Sequence, residues 1–306
     1  DLSNWNTVSV TKMSSMFSNA GESATTWNIG DLSSWDTSSV TNMSHMFSSA
    51  GESATTFNLN LSNWNTSKVT NMSSMFYYAG NRSTTFNIGN LSSWNTSSVT
   101  DMSNMFSYAG RSATTWAIGD LSNWNTANAT NMSNMFYYAG QNATTWNIGD
   151  LSSWDTSSVT NMRQMFESAG RSATTWDIGD LSNWNTVSVT NMSSMFSNAG
   201  YSSSTFSVGS LSNWDTSNVT KMQSMFFNAG GNSAIKISLN LSGWNTSKVT
   251  NMSSMFSGLC GHVDGRCTIK IPKNTGSLNN TTDKFYGSSD SVYAEPPSGK
   301  SFTLAT

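Results

Sequence analysis

The chain has 306 residues, a formal net charge of -3 and only 10% charged side chains, against roughly 25% in ordinary soluble domains. That balance excludes the clustered basic face that nucleic acid requires and disfavours anionic membrane surfaces as partners. No run approaches the roughly 18 apolar residues of a membrane span, so solubility falls to the abundant Ser, Thr and Asn.

One phrase returns nine times at intervals near 30 residues: Leu2-Ser-x-Trp5-Asn6-Thr7, then Val10-Thr11-x-Met13-x-x-Met16-Phe17 with Ala129 for the valine in one unit, then, in eight of the nine, Ala20-Gly21. The tryptophan rank runs from Trp5 to Trp244, and all 18 methionines fall in nine Met-x-x-Met pairs, Met13/Met16 to Met252/Met255. A fixed period of this size marks a solenoid, in which each unit buries its apolar face only against its neighbours. The prior of about 150 residues per domain therefore gives way to one array.

Within a unit, Leu2 and Trp5 are large enough to fill a layer, and Asn6 suits an Asx turn that satisfies local amides. Asn and Asp exchange freely at that position, as in Asn6, Asp36, Asn65, Asp155 and Asp215. A calcium site would select for charge, whereas a hydrogen-bond acceptor would not, so the rank reads as structural. Next, Thr11 is followed by Met13, Met16, Phe17 and Ala20, the i, i+3, i+4, i+7 stripe of an amphipathic helix. Thr11 is placed to cap its start and Gly21 to end it in the left-handed conformation. At Thr25-Thr26-Trp27-Asn28-Ile29 the period changes to two, which predicts a short strand. Its inward pairs continue as Phe57/Leu59, Phe86/Ile88, Trp116/Ile118, Trp146/Ile148, Trp176/Ile178, Phe206/Val208 and Ile237/Leu239. Stacked, such strands predict a parallel sheet. The fold class expected is thus an α/β repeat solenoid of nine units, each with one short strand and one short helix.

Residues 1–260 are expected to form the array and 261–306 a small β cap, from Cys-Thr-Ile-Lys-Ile, Ser-Val-Tyr-Ala and Ser-Phe-Thr-Leu. Cys260 and Cys267 read as a disulfide staple closing a short loop, which favours an oxidising, extracellular setting. Two cysteines around His262 lack a fourth ligand for zinc. The chain starts in mid-unit, with Asp1 already in register and no signal peptide in view, as a processed or excised segment would. Its bare first unit is expected to dock on the C-terminal element of another copy, a head-to-tail contact that propagates as a filament.

The string Asp31-Leu-Ser-Ser-Trp-Asp-Thr-Ser-Ser-Val-Thr-Asn-Met-Ser-His-Met-Phe47 resembles the repeat of the BspA-like, leucine-rich-repeat-type bacterial surface proteins. The resemblance covers about residues 1–260. It implies a leucine-rich-repeat-like solenoid, secreted or held at the cell surface, without enzymatic activity and used in adhesion.

Chemistry beyond packing is sparse. His45 and His262 do not repeat, no phosphate loop or His-Glu-x-x-His occurs, and no tuned carboxylate pair is identifiable. No catalytic residue, cofactor or metal is expected. Asn-x-Ser/Thr sequons are frequent, and the rank taken as Asn42, Asn71, Asn161, Asn191 and Asn251, on the first turn of each predicted helix, is a candidate for glycosylation. The clearest departure from repetition is Tyr77, Tyr78, Tyr108, Tyr137 and Tyr138 in three consecutive units. Tyrosine gives a large contact area at low entropic cost and is enriched at interfaces. These residues are the candidate interaction surface, for host matrix proteins or glycans. The function expected is a structural or adhesive extracellular protein that assembles end to end, with a glycan- or host-protein-binding module as the alternative.

Overall fold

The structure, a computed structural model, describes residues 2–231, 237–259, 267–271 and 300–304, with the backbone alone for 267, 268, 271 and 300–304. The units follow one another in parallel register along two ladders. One passes through Lys12, Asn42, Asn71, Asp101, Asn131, Asn161, Asn191, Lys221 and Asn251, each paired in parallel with the next. The other is the predicted strand column. It comprises β1 (Thr56–Asn58), β2 (Thr85–Asn87), β3 (Thr115–Ala117), β4 (Trp176–Asp177), β5 (Phe206–Ser207), β6 (Ile237–Asn240), β7 (Cys267–Ile271) and β8 (Lys300–Leu304). These form three small parallel sheets, β1-β2-β3, β4-β5 and β6-β7-β8.

The predicted helix is absent. Among the described residues the only helical turns are two three-residue 3-10 segments, Leu91–Ser93 and Leu181–Asn183, so the α/β class with one helix per unit is corrected to a fold of strands and turns. Residues 13–20 instead form consecutive tight turns. Met16, Ser18 and Ala20 donate their N–H to the carbonyl three residues back. The alternate amides of Met13, Ser15, Phe17 and Asn19 donate to Asn42, Ser44, Met46 and Ser48 of the next unit. Ser15 and Asn19 carry φ of +57° and +59°, a conformation that breaks an α-helix every fourth residue. Because the turn pair also repeats every four residues, in the interior units it buries the same stripe that a helix would, as at Met43, Met46, Phe47 and Ala50.

Thr11 is likewise not a cap. Its carbonyl accepts from Thr41, both from the N–H at 2.8 Å and from Oγ1 at 3.1 Å, and the pattern continues to Thr250 on Thr220. One side chain type thus doubles each rung of the ladder. Tryptophan does the same from the core: Trp35 Nε1 donates to the Leu2 carbonyl at 3.0 Å and Trp64 Nε1 to Leu32 at 3.0 Å, through to Trp244 on Leu211. Buried indole N–H groups need such partners, since an unmet donor costs about 1–3 kcal/mol.

The core is built from columns of identical rings. Neighbouring tryptophans from Trp5 to Trp244 lie nearly parallel, with Trp94 and Trp124 6.3 Å apart at 1°, and phenylalanines stack beside them, Phe106 on Phe136 at 5.4 Å. A third column, Trp27, Phe57, Phe86, Trp116, Trp146, Trp176 and Phe206, carries the inward face of the strands. All the predicted inward pairs from Phe57/Leu59 to Ile237/Leu239 are buried. Trp5 is 53% exposed while Trp35 onward are buried, because each indole is covered by the unit on either side. Among the described residues no helix is long and apolar enough to cross a membrane.

The anticipated cap supplies β7 and β8, which extend the β6 ladder in parallel. Ser291-Val-Tyr-Ala294, His262 and the proposed Cys260–Cys267 staple lie outside the described residues, apart from the backbone of Cys267, and no disulfide occurs among those described.

A tyrosine-walled cleft as candidate functional site

Aligned unit on unit, the five tyrosines occupy two adjacent columns on the turn segment. The first reads Tyr77, Ser107, Tyr137, Glu167 and the second Tyr78, Tyr108, Tyr138, Ser168. The second column lies at the left-handed position of the turn, with φ of +57°, +59° and +57° for the three tyrosines. Other units place Asn or Ser there, as at Asn19, Ser49 and Asn198. Asn tolerates this region and a bulky aromatic residue rarely adopts it, at a cost of about 1–3 kcal/mol. Three consecutive units thus hold a tyrosine in a conformation that disfavours it.

The rings are ordered by one another. Tyr78 stacks on Tyr108 at 4.2 Å and Tyr108 on Tyr138 at 5.1 Å. Tyr77 meets Tyr78 edge-on at 4.6 Å, and Tyr137 meets Tyr108 edge-on at 5.1 Å. Arg111 lies over the Tyr108 and Tyr138 rings, 5.8 and 5.2 Å from their centroids, and its Nε donates to Gln141 at 2.7 Å. Farther along, Arg171 covers Tyr201 at 4.5 Å. Burial pushes the Tyr77, Tyr78 and Tyr137 phenols above the ordinary range. Neighbouring Tyr108 reinforces this for all three, and Glu167 adds to it at Tyr137. All three stay neutral donors at any physiological pH.

Between Tyr77 and Tyr137 the first column has a serine where its neighbours have rings. The gap is a cleft of about 180 Å³, walled by Tyr77, Tyr108 and Tyr137 and edged by Asn104, Asn134 and Gln164, with Ser107 and Arg163 also lining it. Ser107 is 1% exposed, and its hydroxyl, shielded from solvent, has no hydrogen-bond partner. Glu167 stands in the next unit of the same column. Burial raises its pKa, opposed by the hydrogen bond from Gln164 Nε2 at 2.8 Å and by the Arg163 charge.

Larger hollows of about 300 to 450 Å³ recur beside the strand column, lined by positions such as Asn28, Asp31, Asn58, Asn147 and Asp177. Several of these side chains already serve the backbone: Asn28, Asn147 and Asp177 accept from the amides of Gly30, Gly149 and Gly179. They belong to the repeat, and the tyrosine cleft does not. Among the described residues no group of three His, Cys, Asp or Glu is placed to hold a metal ion. His45 is exposed, at a left-handed turn position.

The candidate glycosylation rank sits on the first ladder, not on a helix turn. Asn42 Oδ1 accepts from the Ser44 amide at 2.8 Å, Asn71 from Ser73 at 2.8 Å, Asn191 from Ser193 at 3.0 Å and Asn251 from Ser253 at 3.0 Å. Asn161 bonds Arg163 in the same way but is followed by Met162 and Arg163. It is therefore no sequon, whereas Asn131-Met-Ser133 is one.

Tyrosine clustering was legible in the sequence, but Ser107, Asn104, Asn134 and Gln164 were missed as its lining. The available signal was the alternation Tyr77, Ser107, Tyr137 down one column.

A family model described as a Mycoplasma protein of unknown function, DUF285, matches residues 1–109, 79–199 and 170–290. No curated protein and no solved structure matches the chain.

Proposed function

The chain belongs to the DUF285 family, and from that premise we propose that it is a non-enzymatic extracellular scaffold, a solenoid of strands and turns that carries an adhesive surface at a fixed place along its length. The observation that carries this reading is the left-handed conformation of Tyr78, Tyr108 and Tyr138, a local cost confined to three units and coupled to a partly exposed stack of rings. The repeated polar residues support it from the other side. The Thr rank and the Trp indoles are engaged in holding unit to unit, and the Asx-turn rank in closing its own turn, which leaves the non-repeated tyrosines as the chemistry available to a partner. Resemblance to the BspA-like repeat supports the extracellular location and the adhesive role.

The test is retention of the purified chain on collagen or on cell-derived matrix, compared with Tyr78→Ser/Tyr108→Ser/Tyr138→Ser. Serine already occupies the same column at Ser49 and Ser168, so the variant retains a fold-compatible residue at each site. Saturable retention lost in the variant is expected. Equal retention of both chains, or none of either, overturns the reading.

End-to-end assembly is the second reading. Each unit both donates amides to a neighbour and accepts amides from it along the same parallel edges, as Met13 donates to Asn42 while Thr11 accepts from Thr41, so the edge facing one way along the array is complementary to the edge facing the other. In this reading 1–260 is the array and 261–306 its closing segment, which the parallel addition of β7 and β8 to β6 supports. Sedimentation that shifts to elongated oligomers as concentration rises is the expected result, and a single monomer throughout overturns it.

A further inference from the structure

Resting on the adhesive reading and specifying its ligand, we propose that the cleft between Tyr77 and Tyr137 binds a single neutral hexopyranose residue of a surface glycan. Tyr77 and Tyr137 are two units apart in one column. With neighbouring parallel chains spaced about 4.8 Å, their backbones stand about 9.6 Å apart, which leaves room for one ring where Ser107 supplies none. The volume of about 180 Å³ is below the roughly 300 Å³ at which pockets for drug-sized ligands begin, so the occupant is one ring.

The polar lining selects the kind of ring. Ser107 presents a buried hydroxyl without a partner, and the rim carries the Asn104, Asn134 and Gln164 amides. Such a set offers donors and acceptors together on one side of aromatic walls. A pyranose answers both: its C–H face lies on tyrosine, and each hydroxyl both donates and accepts. A flat aromatic side chain would fill the gap but leave the Ser107 hydroxyl unmatched, a loss that buried polar sites punish. Arg163 lines the cleft, and its charge reaches the Glu167 carboxyl, so the two fields offset each other and favour a neutral sugar over an anionic one.

The experiment is saturation-transfer NMR on the full chain with methyl β-D-galactopyranoside, methyl β-D-glucopyranoside and methyl α-D-mannopyranoside, and with p-cresol as the aromatic competitor. A ligand of this size binds with a dissociation constant in the millimolar range, where the method reads well. Transfer to at least one glycoside is expected. It is lost in Ser107→Tyr, which fills the gap with the residue that the same column carries at Tyr77 and Tyr137. In Ser107→Ala, which keeps the shape and removes the hydroxyl, binding weakens about fivefold. Should Ser107→Tyr melt earlier than the parent, Tyr137→Ser, which places in unit five the residue unit four already has, removes one wall instead and gives the same loss. Absence of transfer to all three glycosides, transfer that survives every variant, or p-cresol bound where the sugars are not, overturns the proposal. A chain retained on matrix that takes none of the sugars overturns this site alone. A sugar signal in a chain that no matrix retains overturns the adhesive reading alone.

Discussion

At Asp36, Asp155 and Asp215 the chain carries a carboxylate where six other units carry Asn, as at Asn65 and Asn95. The geometry is the same for both residues: Asp36 Oδ1 accepts from the Ser38 amide at 2.9 Å, and Asn95 Oδ1 from Ser97 at 3.0 Å. Hydrogen bonds from the following serine, hydroxyl first and then amide, hold all three aspartates below the usual carboxylate range. A depressed folded pKa contributes stability above the unfolded value and loses it as pH falls through the folded one. Asn makes the turn without titrating. The triple change Asp36→Asn/Asp155→Asn/Asp215→Asn is therefore expected to melt with the parent at neutral pH, where these exposed charges are screened. It should melt above the parent at pH of about 3, where the aspartates are partly protonated. Calorimetry across that range checks it. A large loss at neutral pH would show that charge, and not acceptor geometry, is what the position needs.

Elements in this chain are set by where the amides go. The stripe that recurs as Met43, Met46, Phe47 and Ala50 was legible in the sequence and marks buried positions, but it does not distinguish a helix from a string of four-residue turns. What decides is the neighbouring unit: half of the turn amides donate across to its carbonyls, and a single unit read alone contains no such acceptors. The strand column was legible because period two in Trp27-Asn28-Ile29 and its counterparts survives stacking unchanged. The cleft was half legible for the same reason. Five tyrosines stand out from a repeat, whereas the space above Ser107 exists only when Tyr77 and Tyr137 are brought to its two sides. Gly140 is one of the glycines at which turn and core meet closely. Its φ is +51°, and a Cβ there would lie 2.8 Å from Trp116 Cγ and 3.0 Å from Trp146 Cδ1. Gly140→Ala combines backbone strain with overpacking, at a cost of about 1–3 kcal/mol for each. At about 2–4 °C per kcal/mol for a chain of 150–250 residues, the thermal midpoint is expected to fall by several degrees, read by circular dichroism. An unchanged midpoint would mean that the aromatic column gives way freely.

Among the described residues each unit pairs with the next in parallel, so the stability of the array is expected to be nearly a sum of unit and interface contributions. Removing 121–150 joins Asp120 to Leu151 and restores the Gly-Asp-Leu-Ser-x-Trp phrase. Thr160 then meets Thr100, the residue to which Thr130 now donates, and the Trp, Phe and Thr columns each lose one member without a break in register. That deletion is expected to fold, with a urea dependence reduced in proportion to the surface of one unit. It also removes Tyr137, so Ser107 lies between Tyr77 and Glu167, and binding to the cleft disappears from a folded chain. Removing 121–135 instead takes out Trp124 and Thr130 while keeping Phe136, which leaves one half of a unit facing the wrong half of the next. The two ladders then differ in length across the join, and the array is expected to split into separately melting parts. Urea unfolding of the two deletions distinguishes a stack of interchangeable units from a structure specified as a whole: equal damage from both would establish the latter.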